Sequence, residues 1–257
     1  MKIISYNVNG IRAAAKKGLL DWLEQEDFDL ICLQETKAQD HQIPEEALKE
    51  MGYHVYHHQA EKKGYSGVAI LSKKEPKSVN IGMGYELYDR EGRVLQLEFP
   101  EFTLVNTYFP SGSSSEERHD FKMEFLERYR DYILKLRQNT APLIVAGDYN
   151  IVHTELDIHN PERKDNPSGY RPEERQWLTE WFDEGFIDSF RQLHPGERSY
   201  SWWSYRARSR ERNKGWRIDY ISADDNLQSL IREARQMNEV VHSDHCPVLL
   251  NMDWSKK

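Results

Sequence analysis

Apolar residues along the chain fall into short runs that are separated by turn-forming and charged segments. Many runs are β-branched, and several are apolar on both faces, which is typical of strands covered on both sides. The runs are KIISYNV, FDLICLQ, YHVYHH, GVAILS, RVLQLEF, FTLVNTYF, PLIVAGD, WRIDYIS and CPVLLNM. We predict a strand at each of them.

Helical patterns lie between some of these runs. Ser114 and Glu117 have the spacing of a capping box, and apolar residues at helical spacing follow. They are Phe121, Phe125, Tyr129, Tyr132, Ile133 and Leu136. A second helix is predicted to begin at Pro172 and to stop at Gly185, and shorter helices are predicted over residues 18–25 and 44–51. No linker or repeat divides the chain, so we predict one α/β domain over residues 1–257, with mixed sheets.

Polar residues stand within or just past one end of many predicted strands. They are Asn7, Asn9, Gln34, Glu35, Asn106, Tyr108, Asp148, Asn150, Asp219, Asp244 and His245. Because open sheets bind ligands at strand ends, these residues indicate one shared site. The stretch LIVAGDYNIVHTELD leaves two interpretations open, a turn or a metal or phosphate site.

Each of these residues also has a plain structural interpretation when it is taken alone. Glu35 fits a solvated turn residue, and Asn7 and Asn9 fit turn formers. Asp244 and His245 fit a surface pair. As a set, however, carboxylates and amides without a cysteine or histidine cluster suit a hard cation such as Mg²⁺.

The same set suggests a reaction. A histidine held by an aspartate suits contact with a phosphoryl oxygen, and a second aspartate beside an asparagine can deprotonate a water molecule. These groups together predict hydrolysis of a phosphate ester. Acyl transfer fits less well, because no serine or cysteine stands in a nucleophile elbow with a base.

The charge of the chain is uneven. With 35 basic and 43 acidic residues the net charge is −8, which at first argues against a nucleic-acid partner. Residues 198–217, called the basic aromatic loop below, carry seven basic residues and one acidic residue, a local charge of +6, interleaved with tyrosines and tryptophans. A carboxylate-rich metal centre beside this loop would reconcile the two signs.

Cysteine usage and hydropathy bear on the cellular compartment. Cys32 and Cys246 both lie in apolar runs, so we predict buried free thiols. No apolar stretch is long enough to span a bilayer, and the N-terminus lacks a signal-peptide pattern. We therefore expect a cytoplasmic protein with no membrane partner, which would associate with the nucleoid when on DNA. A monomer is the default expectation.

Taken in order, these motifs resemble the exonuclease III family of apurinic/apyrimidinic endonucleases over essentially the whole chain. They are KIISYNVNGIRAA, LICLQETK, KGYSGVAILS, DREGRV, VNTYFPSG, VAGDYNIVHTELDIHNP, GWRIDY and SDHCPV. Short pieces such as GDYN are shared with the wider superfamily, but LQETK, GYSGVA and GWRIDY narrow the match to the DNA-repair branch. The resemblance implies a four-layered α/β sandwich of the DNase I-like type, two mixed β-sheets flanked by helices, with the site at one end.

The resemblance also implies a role for each residue of the site. The implied Mg²⁺ ligands, for which Mn²⁺ could substitute, are Glu35, Asn7, Asn9 and Asp244. The implied catalytic residues are Asp148 and Asn150 for the attacking water, His245 with Asp219 for the scissile phosphate, and Tyr108 as a donor to a phosphate oxygen. His153, Glu155 and Asp157 are expected to serve loop structure.

DNA contacts are implied for four segments. In the basic aromatic loop and directly after it, the expected residues for the pocket of a baseless sugar and the adjoining DNA are Trp202, Trp216, Ile218, Tyr205 and Arg206, while Trp203 is assigned to the core. Lys63, Tyr65 and Arg93 match loops that grip the DNA backbone. Either Lys164 or Asn166 fills a position near the phosphate, and we favour Asn166. The segment 111–114 departs from the family pattern, so duplex gripping there is expected to be weaker or water-mediated.

The expected activity is Mg²⁺-dependent hydrolysis of the phosphodiester 5′ to an abasic site in duplex DNA. Its products would be a 3′-hydroxyl and a 5′-deoxyribose phosphate. The nearest alternative is a 3′→5′ exonuclease or 3′-end-cleaning phosphodiesterase that uses the same site on blocked 3′ ends. A small-molecule phosphatase fits less well, because the basic aromatic loop suits a polyanion. A binding module without catalysis would be expected to have lost some of the carboxylates, and all are present.

Overall fold

The computed structural model describes residues 1–256. Within these residues, twelve strands form two sheets. The strands are β1 (Lys2–Asn7), β2 (Leu30–Gln34), β3 (His54–His58), β4 (Val68–Ser72), β5 (Ser78–Ile81), β6 (Val94–Glu98), β7 (Thr103–Tyr108), β8 (Leu143–Asp148), β9 (Phe186–Asp188), β10 (Asp219–Asp224), β11 (Ile231–Gln236) and β12 (Val248–Met252). One sheet has the order β11-β12-β1-β2-β4-β3, and the other has the order β5-β6-β7-β8-β10-β9. Both are mixed, because β1 runs parallel to β2 and β7 runs parallel to β8 while the other pairs are antiparallel.

Helices cover the outer faces of the two sheets. The α-helices are α1 (Ile11–Ala15), α2 (Leu19–Glu26), α3 (Glu45–Glu50), α4 (Glu86–Asp89), α5 (Glu116–Arg137), α6 (Pro172–Asp183) and α7 (Ser189–Leu193). Short 3₁₀ helices are Asp40–Gln42, Glu155–Asp157, Arg206–Arg208, Asp225–Leu230 and Trp254–Lys256. Among residues 1–256, no helix is both long and apolar enough to cross a membrane.

Three apolar clusters define four layers. Ile3 and Val248 of the first sheet meet Leu104 and Ile144 of the second sheet in the central core. On the far side of the first sheet a second cluster holds α2 and α3, and on the far side of the second sheet a third cluster holds α5 and α6. The predicted sandwich of two mixed sheets flanked by helices is therefore confirmed.

Every strand predicted from an apolar run is present, but β5, β9 and β11 were not predicted. β5 is an edge strand with mostly exposed residues, and β9 has only three residues. β11 has the sequence IREARQ, in which charged residues alternate with buried ones. None of the three has the continuous apolar run that marks a strand covered on both sides. Cys32 and Cys246 are buried free thiols, as predicted.

The predicted helix ends differ in accuracy. The capping box at Ser114 and Glu117 is wrong, because Ser115 is the N-cap of α5 and its hydroxyl accepts from the amide of Arg118 at 3.2 Å. Gly185 is confirmed as the stop of α6, where it follows the C-cap with a φ of +95° that favours glycine. Both helices, α5 and α6, pack on the second sheet.

Candidate functional site

Strand ends from both sheets converge at one end of the sandwich. Asp148 at the end of β8 is paired with Tyr108 of parallel β7 and with Asp219 of antiparallel β10. Gly147 makes this close approach possible, because a Cβ there would overlap the carbonyl oxygen of Thr107. The local sequence therefore places three polar side chains next to one another at the edge of the second sheet.

Asn7 joins the two sheets at this end. Its Nδ2 atom donates to Glu35 Oε1 at 2.9 Å and to Asp148 Oδ2 at 2.8 Å. Glu35 follows β2 of the first sheet and Asp148 ends β8 of the second sheet. Asn7 is fully buried, so these bonds fix the spacing of the two carboxylates in an environment of low dielectric.

Glu35, Asp148 and His245 bring potential metal-ligating atoms within 4.8 Å of one another. The Lys37 ammonium group lies 2.7 Å from Glu35 Oε2 and also donates to Asn9 Oδ1. The Lys37 ammonium thus lies between a carboxylate oxygen and an amide oxygen. Hard divalent cations select oxygen ligands of these two types. Burial opposes ionisation of Glu35, but Lys37 and Asn7 hold the pKa of its carboxyl below the ordinary value. The side chains present fit a hard cation.

Asp219 and His245 form a buried pair beside Asp148. Asp219 Oδ2 accepts from His245 Nδ1 at 2.8 Å and from the Ser201 hydroxyl at 2.6 Å, and His245 Nε2 is 3.9 Å from Asp148 Oδ2. Burial disfavours the charged imidazole, but the Asp219 carboxylate outweighs burial and raises the pKa of His245 to about 10. Burial and the nearby Asp219 charge raise the pKa of Asp148 to about 8. A protonated imidazole thus faces a carboxyl group of high proton affinity. These four residues (Glu35, Asp148, Asp219 and His245) are called the carboxylate centre below.

Asn150 is held by backbone and side-chain bonds from several segments. Its backbone N–H donates to Asp148 Oδ1 at 2.9 Å, and its side-chain Nδ2 donates to the carbonyl of Phe109 at 3.0 Å. The Lys122 ammonium donates to the Asn150 carbonyl at 2.8 Å and to Glu174 Oε1 at 2.7 Å. Sequence reasoning missed Lys122 and Glu174, because each lies in a helix where charged residues usually face solvent.

Tyr108 adjoins the carboxylate centre, and Arg93 contacts both the ring and the carbonyl of Tyr108. Burial of the Tyr108 hydroxyl and the adjacent Glu35 carboxylate raise the pKa of Tyr108 well above its ordinary value. The Arg93 guanidinium lies 4.9 Å from the Tyr108 ring centroid, and it donates to the Tyr108 carbonyl and to the Tyr65 hydroxyl. Arg93 is 1% exposed and paired with Glu91, so its guanidinium is not available for direct contact with DNA in this structure. It orients Tyr65 and Tyr108 instead.

Asn9 and Asp244 adjoin the carboxylate centre. Asn9 Nδ2 donates to Asp244 Oδ1 at 2.9 Å, and Trp202 Nε1 donates to Asp244 Oδ2 at 3.1 Å. The structure thus brings all four predicted metal ligands to one end of the sandwich, but it separates them into two groups. Glu35 and Asn7 bond to each other, and Asn9 and Asp244 form a second pair. The Asn9 backbone amide, which donates to Asn7 Oδ1 at 3.0 Å, and Lys37 both connect the two pairs.

An aromatic wall stands beside His245. The rings of Trp202 and Trp216 meet edge to face with centroids 5.7 Å apart, and Trp202 lies 6.4 Å from the His245 ring. Both tryptophans are half-buried, and they pack on a cluster formed by Val152, Ile158, Tyr170 and Ile218. Trp203 is instead buried against Tyr200 and Cys246, which confirms its assignment to the core.

The basic aromatic loop divides into exposed and inward-facing charges. Its exposed members near Tyr205 are Arg206, Arg208, Arg212 and Lys214. Arg210 instead donates to the carbonyls of Ser243 and Val240. Arg217 is buried between Asp157 and Asp188, so the count of seven charges available to a ligand was too high. Asp157 serves loop structure, as expected.

The remaining predicted contact residues lie at the surface. Lys63 is exposed, and Tyr65 is half-buried with its hydroxyl bonded by Arg93 and Arg118. Lys164 and Asn166 are both exposed in the segment that precedes α6, and Asn166 has a φ of +33°.

Known proteins share this fold and this sequence. Residues 4–245 match the Endonuclease/Exonuclease/phosphatase family. The chain is 47% identical over 252 residues to an exodeoxyribonuclease of Bacillus subtilis, covering 97% of this chain and 98% of that protein. The structure of an AP endonuclease from Archaeoglobus fulgidus matches with a TM-score of 0.89 at 30% identity, covering 98% and 99% of the two chains. A 3′ phosphatase from Neisseria, bound to a product DNA hairpin, matches with a TM-score of 0.92 at 28% identity, covering 99% and 100%.

Fold, carboxylate centre and relatives together define a hydrolase that acts as a phosphodiesterase. The chain belongs to the exonuclease III family of DNA-repair nucleases, within the endonuclease/exonuclease/phosphatase superfamily. Its relatives include both AP endonucleases and exodeoxyribonucleases.

Proposed function

We propose that this protein is a Mg²⁺-dependent repair nuclease that hydrolyses the phosphodiester 5′ to an abasic site in duplex DNA. The products are a 3′-hydroxyl and a 5′-deoxyribose phosphate, and residues 1–257 act as one monomeric catalytic domain. The observation that carries the proposal is that the aromatic wall lies against the carboxylate centre. Trp202 packs beside His245 and donates to Asp244, so its half-buried ring stands directly next to the carboxylate centre.

Glu35 is the principal residue proposed to hold the divalent cation. Asn7 donates to Glu35 and fixes the direction of its carboxylate, while Asn9 and Asp244 complete the polar surroundings. When bound, Mg²⁺, or Mn²⁺ in its place, stabilises negative charge on the phosphate oxygens. A divalent cation held by Glu35 would compete with the Lys37 ammonium for this carboxylate.

Asp148 is proposed to orient the attacking water and to accept its proton. Its Oδ1 is fixed by the Asn150 amide and its Oδ2 by Asn7, so the carboxylate cannot rotate away. Burial and the nearby Asp219 charge raise the pKa of Asp148, which increases the affinity of its carboxylate for the proton of the attacking water. Water then attacks phosphorus in line with the leaving 3′-oxygen.

His245 and Tyr108 are proposed to stabilise the charge that develops on the phosphate. Asp219 fixes the His245 ring through Nδ1 and leaves Nε2 directed toward the site with its proton. The raised pKa of Tyr108 keeps its hydroxyl protonated, so it remains a donor. Donors that are positioned before the reaction lower the barrier because they need no reorganisation.

Selectivity for a missing base is proposed to come from the aromatic wall. Trp202, Trp216 and Ile218 pack together into an apolar surface that would receive a sugar without a base, and extrusion costs least where pairing is already absent. Exposed Tyr205 and Arg206 would contact the duplex beside the lesion. Lys63, Tyr65 and Asn166 are proposed contacts to the DNA backbone.

A second candidate activity is removal of nucleotides or blocking groups from 3′ ends. It is supported by the identity to the Bacillus subtilis exodeoxyribonuclease and by the likeness to the DNA-bound Neisseria 3′ phosphatase. The same carboxylate centre would serve both reactions, because each breaks a bond between phosphorus and oxygen.

The test is a labelled duplex with one internal tetrahydrofuran analogue of an abasic site, incubated in Mg²⁺ and separately in EDTA, with an intact duplex as control. We expect a single Mg²⁺-dependent cut immediately 5′ of the analogue and no cut in the control. A ladder that shortens from the 3′ end would make the exonuclease the main activity. Absence of cleavage in any divalent cation would contradict both.

A further inference from the structure

Three side chains form a hydrogen-bonded chain from the surface to Thr36, the residue that follows Glu35 in the sequence. Asp40 Oδ1 is 2.8 Å from His57 Nδ1, and His57 Nε2 is 3.0 Å from the Thr36 hydroxyl. Asp40 lies at the surface, the His57 ring is buried, and Thr36 is completely buried. The three are called the Thr36 strut below.

The direction of hydrogen bonding follows from the two ends. A carboxylate can only accept, so Asp40 selects the tautomer with a proton on His57 Nδ1. Burial lowers the pKa of His57 in spite of Asp40, so the ring is neutral at pH 7 and its Nε2 accepts from Thr36. The Thr36 hydroxyl therefore has a fixed orientation.

The backbone at Thr36 needs such support. Glu35 and Lys37, on either side of it, both have a φ of +49°, a left-handed conformation that side chains other than glycine adopt at a cost. Conformations of this kind persist only where their surroundings determine them. The Thr36 and Lys37 amides donate to the carbonyls of Gly67 and Ser66, at 3.0 and 2.8 Å.

Gly67 leaves room for the strut. A Cβ at residue 67 would overlap the Thr36 hydroxyl oxygen, and the φ of Gly67 is +89°. Because Gly67 lacks a side chain, the hydroxyl can reach His57 on β3 while the backbone of Thr36 stays bonded to the neighbouring turn. The turn that aims Glu35 is therefore tied to the edge strand β3 by a side chain as well as by the backbone.

We propose that Thr36, His57 and Asp40 are positioning residues that fix the Glu35 carboxylate for the divalent cation. This inference rests on the proposed role of Glu35 as a metal ligand. None of the three touches the reacting groups, so they act through the conformation of the turn at residues 35–37. Bonds outside the ligand shell that orient a ligand commonly alter metal affinity about 10- to 100-fold.

The test compares substitutions that remove or keep the hydroxyl. Mn²⁺ binding to the DNA-free protein is measured by electron paramagnetic resonance for Thr36→Val, which deletes the hydroxyl, and Thr36→Ser, which keeps it. Thr103→Val is the matched control, because Thr103 is equally buried and its hydroxyl has no hydrogen-bond partner within residues 1–256. We expect Thr36→Val to raise the Kd for Mn²⁺ about 10-fold or more, with Thr36→Ser and Thr103→Val close to wild type.

A second variant covers the case in which Thr36→Val does not fold. The Asp40 side chain is 69% exposed, so Asp40→Ala leaves the core intact. We expect it to raise the Kd for Mn²⁺ several-fold, because the His57 tautomer is no longer selected. Asp21→Ala, at an exposed acidic residue of α2, is the control.

The outcomes separate this inference from the proposed function. If Glu35→Ala abolishes Mn²⁺ binding while Thr36→Val and Asp40→Ala bind as tightly as wild type, the strut is refuted and the metal site stands. If Glu35→Ala binds Mn²⁺ like wild type, the proposed metal site fails and the strut fails with it. A weakening in the strut variants that is matched by Thr103→Val would also overturn the inference, because it would reflect stability alone.

Discussion

The carboxylate centre and the basic aromatic loop are built in opposite ways. Asp148 and Asp219 are almost completely buried at strand ends, and each is hydrogen-bonded by neighbouring side chains or amides. Tyr205 and Arg206 lie in a short irregular segment and are exposed. Chemistry on a phosphate needs donors and a base at fixed positions, whereas contact with a polyanion needs charges that remain solvated until DNA arrives.

The difference shows why a chain with a net charge of −8 can act on DNA. Of the acidic groups near the reaction, Asp148 and Asp219 are buried beside His245, and half-buried Glu35 is paired with Lys37. Exposed positive groups are concentrated beside them. Substitutions in the two regions should therefore have different consequences, the first for the chemical step and the second for binding.

The largest expected effect is that of Asp148→Asn on the chemical step. The variant keeps the shape of the side chain but cannot accept a proton, so we expect the single-turnover rate on an abasic duplex to fall by about 10²- to 10⁴-fold. DNA affinity measured in EDTA should remain within a few-fold of wild type. Asp21→Asn, an exposed acid of α2, is the control, and a near-wild-type rate for Asp148→Asn would show that another group is the base.

Lys122→Met tests the buried ion pair of Lys122 and Glu174, which holds the Asn150 carbonyl. The substitution leaves Glu174 buried without its cation, which should lower the free energy of unfolding by about 3–5 kcal/mol. Replacing both partners at once, as Lys122→Met with Glu174→Leu, should recover part of the loss. Urea unfolding measures the effect. Equal stability of wild type and Lys122→Met would contradict the prediction that this buried pair stabilises the folded state.

Asp157→Asn tests the buried anchor of the basic aromatic loop through pH. Burial works against ionisation of Asp157, but Arg217 holds the pKa of this carboxyl well below its ordinary value of about 3.9. The ionised carboxylate therefore stabilises the folded state at neutral pH, and this contribution is lost as pH falls below about 4. At pH 7 the variant should be less stable by about 1.5–3 kcal/mol, and the gap should narrow at pH 3. Urea unfolding at both pH values is the measurement, and a constant gap would refute the assignment.

Trp202→Ala tests the aromatic wall. Loss of the ring should lower the ratio of cleavage at an abasic analogue to cleavage of intact duplex by about tenfold, because an apolar contact of this size contributes about 1.5–3 kcal/mol. Trp22→Ala, which alters a half-buried tryptophan on the far face of the first sheet, is the control. The prediction fails if discrimination between the two substrates is unchanged.

The smallest expected effect belongs to single exposed arginines. For Arg206→Ala we expect a few-fold loss of DNA affinity and a decrease of about 0.9 in the slope of log K against log salt concentration, as for one phosphate contact. Arg128→Ala, at an exposed position of α5, should change neither quantity. A salt slope that stays at the wild-type value would exclude a phosphate contact at Arg206.

The sequence was sufficient to predict the sandwich and most of its site. Apolar runs mark the covered strands, and the polar residues that end them, such as Asp148 and Glu35, converge because the two sheets stack with these strand ends at the same end of the sandwich. Burial of single charges was beyond prediction. Whether an arginine is exposed depends on distant partners, which for Arg217 are 29 and 60 residues away in the chain, at Asp188 and Asp157. Lys122 with Glu174 was missed for the same reason.

The central claim is that the carboxylate centre performs the chemistry while the basic aromatic loop binds the duplex. Single-turnover cleavage of an abasic duplex, over a range of enzyme concentrations in excess of DNA, separates the maximum rate from the half-saturating concentration. Asp148→Asn should lower the maximum rate and leave half-saturation unchanged, and Arg206→Ala combined with Arg208→Ala should do the reverse. The account is contradicted if Asp148→Asn acts only on half-saturation, or if the double arginine variant acts only on the maximum rate.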